Sequence, residues 1–421
     1  MIKKIFLVAV AMTVLSCTKE EIIEKEVIVP VNSNVELYDH QLLENSYVLA
    51  IENGGFNAFL MNKQGFKVKD WVFPERMGND IEILPSGKLL GTFKSPTNVI
   101  TIGGASGIIK VLNSDGSVFW SYVCCDANKV THHDVEMLPN GNVLFLVWEK
   151  ITPTDALNYG IETSYTLYPE ALYEVNTTTN QVVWKWSSYN HVVQDTNATL
   201  PNYGTINQNP NKINFKYVNM PNGDIMHANG IDYDENKDVI YMSVNFYSEV
   251  WVIDHSTTTA QAATSSGGNY NKGGDLIYRF GNPTAYNHTS GERTLYNNHY
   301  PNLIERNVSG KGNMLIYNNG SNISQSTVYE VKLPQNFNLS TTASNEPTIV
   351  WSFTDPNLFY DKLSGAERLN NGNTLITEGD YGYWEVTPNK KVVWKYKASN
   401  ITVWRGYNYY DTDPAIINLA Q

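Results

Sequence analysis

Apolar residues along this chain come in short runs bounded by Pro, Asn and Gly, which is the pattern of strands and turns rather than of amphipathic helices. One unit recurs: an apolar strand, a tight turn, a second apolar strand, then a strand that ends near an aromatic residue. The turns read LPSGKLL at Leu84, LPNGNVL at Leu138, MPNGDIM at Met220 and LNNGNTL at Leu369. Asn-Gly suits such turns because both central positions accept positive φ. The closing strands carry Trp71, Trp120, Trp184, Tyr278, Trp351 and Trp394, so there are six units. A four-stranded propeller blade takes about 40–50 residues, and the wider intervals therefore hold inserted loops. These fall at 151–170, 188–216, 256–274 and 284–298, where they are expected to roof one face. The pattern predicts an all-β protein, a single six-bladed β-propeller over residues 46–421.

Composition agrees with strands and narrows the function. Aromatic residues make up 12% of the 421 residues, with 27 Tyr and 10 Trp, and Tyr, Trp, Thr and Val favour strands. The net charge of −12 argues against a nucleic-acid binder, which needs a basic footprint. An anionic substrate must then be held by a local positive site, because the global field repels it. No GxSxG elbow, glycine-rich phosphate loop or HExxH pair is present.

The first residues address the chain. Lys3 and Lys4 precede an apolar stretch from Ile5 to Leu15, too short to span a bilayer, which reads as a signal peptide. Val14-Leu15-Ser16-Cys17 resembles a bacterial lipobox, in which Cys17 is lipidated. Lys19-Glu20-Glu21 resembles the export signal of Bacteroidetes surface lipoproteins, and residues 18–45 read as a tether. The expected product is an outer-membrane lipoprotein of the cell envelope, held to the membrane by lipid only. Cys124 and Cys125 either close on each other in an oxidising compartment or stand as two thiols.

Three of the eight histidines sit where a repeat begins: HHDVEMLPNGNVLFL from His132, HANGIDYDENKDVIYMSV from His227, and HYPNLIERNVSGKGNMLIYNNG from His299. A fourth copy, AERLNNGNTLITEG from Ala366, has none. Equivalent strands of a propeller meet at its axis, so the three imidazoles are expected to share one pocket. Imidazole can be nucleophile, base or metal ligand near neutral pH. Neighbours on a strand face opposite ways, so only one of His132 and His133 is expected to point inward. His40, His191, His255 and His288 lie in tether or loop contexts.

The ordered series HHDVEMLPNGN, HANGIDYDENKDVIYMSVNFYSEVWVIDHSTTT, GGDLIYRFGNP, GNMLIYNNG, GAERLNNGNTLITEG and VWRGYNYYD resembles the bacterial arylsulfotransferases, six-bladed propellers of the periplasm and cell envelope. The likeness runs from roughly Ile81 to Tyr410. It implies transfer of a sulfuryl group from an aryl sulfate to a phenolic acceptor through a sulfated histidine, with no nucleotide donor and no cofactor. His299 matches the family's nucleophile, and His133 and His227 its supporting histidines. Two positions depart from the family. Tyr300 and Pro301 follow His299 where Asp is common, and Asn245 stands where an arginine is expected.

That chemistry has physical demands of its own. Sulfuryl transfer, like phosphoryl transfer, builds charge on the leaving oxygen in a loose transition state. It needs a neutral nucleophile, donors around the sulfuryl oxygens and a proton for the leaving phenolate. His299 is the expected nucleophile, and His227 or His133 the donor. Asp134 can orient an imidazole or cap a turn. Arg279 and Arg405 are candidate partners for the sulfate charge, since the guanidinium fork matches an oxyanion. Each reads equally as a strand charge. Tyr and Trp can line an aryl pocket or pack the blades. Two rivals stay open: a metal held by His133, Asp134, His227 and His299, and a non-enzymatic surface propeller that binds a glycan or a protein.

Overall fold

A computed structural model describes residues 30–419; the signal segment, Cys17 and the first part of the tether lie outside these residues. Six antiparallel sheets surround one axis, and the chain closes the ring twice. Blade 1 (Tyr47–Glu52, Asn57–Asn62, Lys67–Val72) takes its innermost strand, Val403–Tyr409, from the C-terminal end. Blade 6 (Gly365–Arg368, Thr374–Glu378, Gly382–Val386, Val392–Lys397) gains a fifth, outer strand, Val35–Tyr38. The tether expected over 18–45 therefore ends inside the propeller. Val35 is buried against Tyr396, and the edge of the last strand is covered.

The remaining blades run in chain order. Blade 2 spans Met77–Ile83 to Val118–Val123, and blade 3 spans Lys129–Met137 to Gln181–Ser187. Blade 4 spans Ala228–Asp234 to Tyr278–Phe280, and blade 5 spans His299–Leu303 to Thr348–Phe353. Each of the six predicted closing strands is the outermost strand of its original four.

Inner strands pack side by side around the axis and would leave backbone N–H groups unpaired there. Carboxylates from the preceding blade accept them. Asp134 takes the N–H of Ile231, Glu136 that of Tyr233, Asp232 that of Leu303 and Glu367 that of Asn408. The axis is thus acidic, and burial with mutual repulsion raises Asp80, Glu136 and Asp232 well above the usual carboxylate range.

Strand alternation puts the loops entering each inner strand on one face, together with the loops joining second to third strands. Insertions 151–170, 188–216 and 284–298 are of these kinds, and Ile161, Val192, Ile206, Ile213 and Tyr286 join one apolar cluster. The segment 256–274 differs from expectation. It joins a third strand to a fourth, so it starts at the opposite end, and its helix Thr259–Ala262 packs on the flank of blade 3. MPNGDIM also differs: it is the loop leading into the inner strand of blade 4, not a hairpin within it.

Candidate active site

His299 begins the inner strand of blade 5, His227 immediately precedes that of blade 4, and His133 lies midway along that of blade 3, three neighbours around the axis. The backbone there is irregular. Register shifts fall at His133-Asp134, at Asn229 and at Tyr300, each an extra residue or two opposite the second strand. His133 (φ 50), His227 (φ 53) and Tyr300 (φ 52) take left-handed conformations, which cost non-glycine residues on the order of 1–3 kcal/mol each. These bulges turn side chains off the normal alternation. Both His132 and His133 consequently face each other, Nδ1 to Nδ1 at 2.9 Å, against the expectation that one would point away.

The rings converge. His133 meets His227 edge to face at 4.8 Å, and Trp404 lies 5.8 Å from His133 and 6.3 Å from His299. Trp148 stacks on His132 at 3.8 Å and touches His133 and His227 with the rest of its ring. Phe246 stacks on His227 at 5.0 Å. Gly104 (φ +91) is needed here, since a Cβ would stand 2.1 Å from Cε1 of His133.

Each imidazole is held differently. His299 places Nδ1 2.7 Å from Oδ1 of Asn319, which must accept, so Nδ1 carries the proton and Nε2 the lone pair. The backbone N–H of Leu363 donates to that Nε2 at 3.2 Å. Burial lowers the pKa of His299 to about 3, despite the Asn319 bond, so the ring is neutral. The carbonyl of Asn298, one residue before, accepts from Asn229, Ser243 and Asn245. Asn245 therefore steadies the backbone of His299, and its Oδ1 accepts from Asn297.

His227 is the most exposed of the three, at 21%, and its Nδ1 sits 2.5 Å from Oδ2 of Asp224. Burial pulls its pKa down, but the Asp224 hydrogen bond and charge outweigh it, and the net shift is upward. His133 is pushed well below the usual imidazole range by burial, then by the charges of His227 and its other neighbours, Lys94 among them. The site thus sets an imidazole whose protonated form is favoured by Asp224 beside two held neutral by burial. Nε2 of His133 and Nε2 of His227 make no hydrogen bond among the described residues.

Several expected partners lie elsewhere. Arg279 is buried in blade 4, where its fork grips Glu249, its Nη1 donates to the carbonyl of Lys212, and its plane packs on Tyr286. Its charge is neutralised there and touches no histidine. Asp134 does not orient an imidazole. It binds both Nη atoms of Arg405 at 2.9 Å, and Arg405 lies 3.9 Å over the ring of Tyr300. Arg405, Asp134, Tyr300 and Trp404 form one connected buried cluster next to the histidines.

Sequence reasoning missed Asp224, Lys94, Asn319, Leu363 and the pair His132–Glu170. Asp224 was hidden in an apparent hairpin turn. Lys94, at the end of the apolar run LLGTFK, had a visible signal. Among the described residues no group of three His, Cys, Asp or Glu is arranged to hold a metal. Cys124 and Cys125 are free thiols, and burial pushes Cys124 up to about 12.

Comparison with known proteins follows this geometry. A Bacteroides caccae protein of unknown function, 12% identical, superposes with a TM-score of 0.50 over 87% of this chain and 99% of that one, which supports the fold alone. A putative 6-phosphogluconolactonase from Bacteroides fragilis, 10% identical, gives a TM-score of 0.44 over 87% of this chain and 98% of its own. No curated protein matches the sequence. The family model described as Arylsulfotransferase (ASST) matches residues 42–406.

Proposed function

We propose, for a chain that belongs to the arylsulfotransferase family, that His299 takes a sulfuryl group from an aryl sulfate and passes it to a phenolic acceptor, with no nucleotide sulfate donor. The observation that carries this reading is the state of His299: neutral, fixed by Asn319 through Nδ1, with its lone pair on Nε2 beside two imidazoles whose Nε2 atoms are free. In the first step Nε2 bonds to sulfur and the S–O bond to the aryl oxygen breaks. His227, its protonated form favoured by Asp224, donates to the sulfuryl oxygens. His133 faces the aryl oxygen and supplies its proton. In the second step the acceptor hydroxyl attacks sulfur, its proton goes to His133, and His299 is restored.

Leu363 N–H occupies Nε2 at rest, so attack requires the 360–364 segment to withdraw from the nucleophile. Leu363 and Ser364 are both left-handed (φ 57 and 85), a strained conformation that costs non-glycine residues on the order of 1–3 kcal/mol each. Half-buried Phe246, stacked on His227, offers the flat apolar surface an aryl group needs, while Trp148 and Trp404 are buried and hold the histidines from behind. The N-terminal reading completes the proposal: lipidation of Cys17 and an outer-membrane, surface-facing address in a Bacteroidetes-like envelope, where small aryl sulfates and phenols are met without entering the cell.

The test mixes protein lacking residues 1–17 with 4-nitrophenyl sulfate, with and without phenol. The reading predicts nitrophenolate release that depends on phenol and vanishes in His299→Ala. Release that persists in His299→Ala overturns the assigned nucleophile.

A further inference from the structure

Behind His133 lies a buried pair that the two transfer steps do not use. Glu170, His132 and Trp148 are each fully buried. Nε2 of His132 stands 2.8 Å from Oε2 of Glu170, a close contact off hydrogen-bond alignment, and neither atom has a hydrogen-bond partner, so each is left to the other. Oε1 of Glu170 accepts from the indole of Trp148 at 2.9 Å and from the N–H of Ala228 at 2.7 Å. Nδ1 of His132 faces Nδ1 of His133 at 2.9 Å, and Trp148 clamps the His132 ring by stacking. A line of close contacts therefore runs from Glu170 Oε2 to His132 and on to His133, and a small rotation of the Glu170 carboxyl would align the first of them for proton transfer.

Resting on the sulfuryl-transfer reading above, we infer that Glu170 and His132 form a proton relay that lends a proton to the leaving phenolate through His133, keeps the vacancy while His299 is sulfated, and refills it from the acceptor phenol.

The bookkeeping closes at every atom. Before transfer the Glu170 carboxyl proton points at His132 Nε2, His132 Nδ1–H points at His133 Nδ1, and His133 presents Nε2–H. When the phenolate leaves, it takes the Nε2 proton; His133 Nδ1 takes the proton of His132 Nδ1, and His132 Nε2 takes that of Glu170. Glu170 is then a carboxylate, both imidazoles remain neutral with exchanged tautomers, and His133 shows a lone pair at Nε2. That lone pair is the base the acceptor phenol requires, and the second step runs the line backwards. No oxidant, metal or water enters.

Burial supports each state. It raises Glu170 well above the usual carboxylate range, against the Ala228 N–H bond and His227 and with Asp224 adding to the rise, which favours the protonated form. It lowers His132 and His133 well below the usual imidazole range, so neither ring becomes a trap for the proton. The carboxylate form keeps two fixed donors at Oε1.

Glu170→Gln tests the relay. Because two donors aim at Oε1, the amide must place its oxygen there and its NH2 at His132 Nε2. This locks His133 as Nε2–H, which can donate a hydrogen bond but cannot pass its proton on. The measurement is the pre-steady-state burst with two donors: 4-nitrophenyl sulfate, whose phenolate leaves without help, and phenyl sulfate, whose phenolate needs a proton. The relay predicts that the ratio of phenyl to nitrophenyl burst rates falls by about 100-fold in the variant, the scale of lost proton transfer. A purely structural role slows both donors alike, and an unchanged ratio overturns the relay. His132→Gln interrupts the same line one residue along and is expected to lower the ratio in the same way, should Glu170→Gln fold poorly. A wild-type protein with no burst from either donor overturns the sulfuryl-transfer reading itself, and the relay with it.

Discussion

Arg405→Met isolates the electrostatics beneath the histidines. Arg405 is 2% exposed and binds both oxygens of Asp134, itself 2% exposed, while Asp80 lies 4.0 Å away. Around them Glu82 is pushed up to about 7 by burial first and by the Asp134 charge second. Removing the cation leaves a buried carboxylate unpaired, which costs about 3–5 kcal/mol. Losing the guanidinium above Tyr300 at 3.9 Å adds about 1 kcal/mol. Unfolding entropy of about 2.1 cal/mol/K per residue, over about 390 described residues, converts this to a fall of about 5–7 °C in Tm. Differential scanning calorimetry at pH 7 reads the fall directly. Asp134→Asn in the same chain removes the stranded charge, keeps an acceptor for the Ile231 N–H, and should return about half of the loss. A fall of under about 1 °C in Arg405→Met, or no recovery in the double variant, refutes a structural ion pair.

Three further outcomes follow from other parts of the site and ring. Asp224 raises the pKa of His227, so kcat/KM should fall as pH rises through it, and Asp224→Asn should move that fall to lower pH, read from pH–rate profiles; an unmoved profile would contradict the assignment. Gly104→Ala puts a Cβ 2.1 Å from the His133 ring, and activity should drop about 100-fold while the melt moves by the equivalent of about 1–2 kcal/mol; near wild-type turnover would contradict the packing. His255 bridges Asp238 and Glu174, and those hydrogen bonds outweigh burial and raise it to about 9. Its stabilisation is complete below the unfolded value of 6.5 and is lost as pH rises through about 9. Because Asp238 is 36% exposed, the span is about 1–3 kcal/mol, and His255→Gln should flatten the Tm-against-pH curve over that window.

The propeller was legible because its signals are local. Asn-Gly turns and Trp-ended strands each form within a dozen residues, and their repetition told the number of blades. The same repetition placed His133, His227 and His299 at equivalent repeat positions, and the structure gathers them around Trp404, although His133 lies within its strand and not at its start. What stayed hidden depends on contacts far apart in sequence or on broken regularity. The bulge at His133 defeats the alternation rule, so His132 could not be recognised as its partner. Arg405 and Asp134 are 271 residues apart, and nothing near either one announces the pair. Arg279 looked free for the same reason, with Glu249 in the neighbouring strand taking its charge. MPNGDIM has the composition of a hairpin turn, yet blade 4 turns at Asp234–Val239 instead, which frees Asp224 to reach His227.

The central claim is that sulfur becomes bonded to His299. Protein lacking residues 1–17 is mixed with 4-nitrophenyl sulfate without acceptor, quenched at alkaline pH, and analysed by intact and peptide mass spectrometry. The account predicts the added mass of one SO3 group, confined to the peptide bearing His299, lost on adding phenol and absent from His299→Ala. Rapid nitrophenolate release with no covalent adduct, or an adduct on His133 or His227, would contradict it.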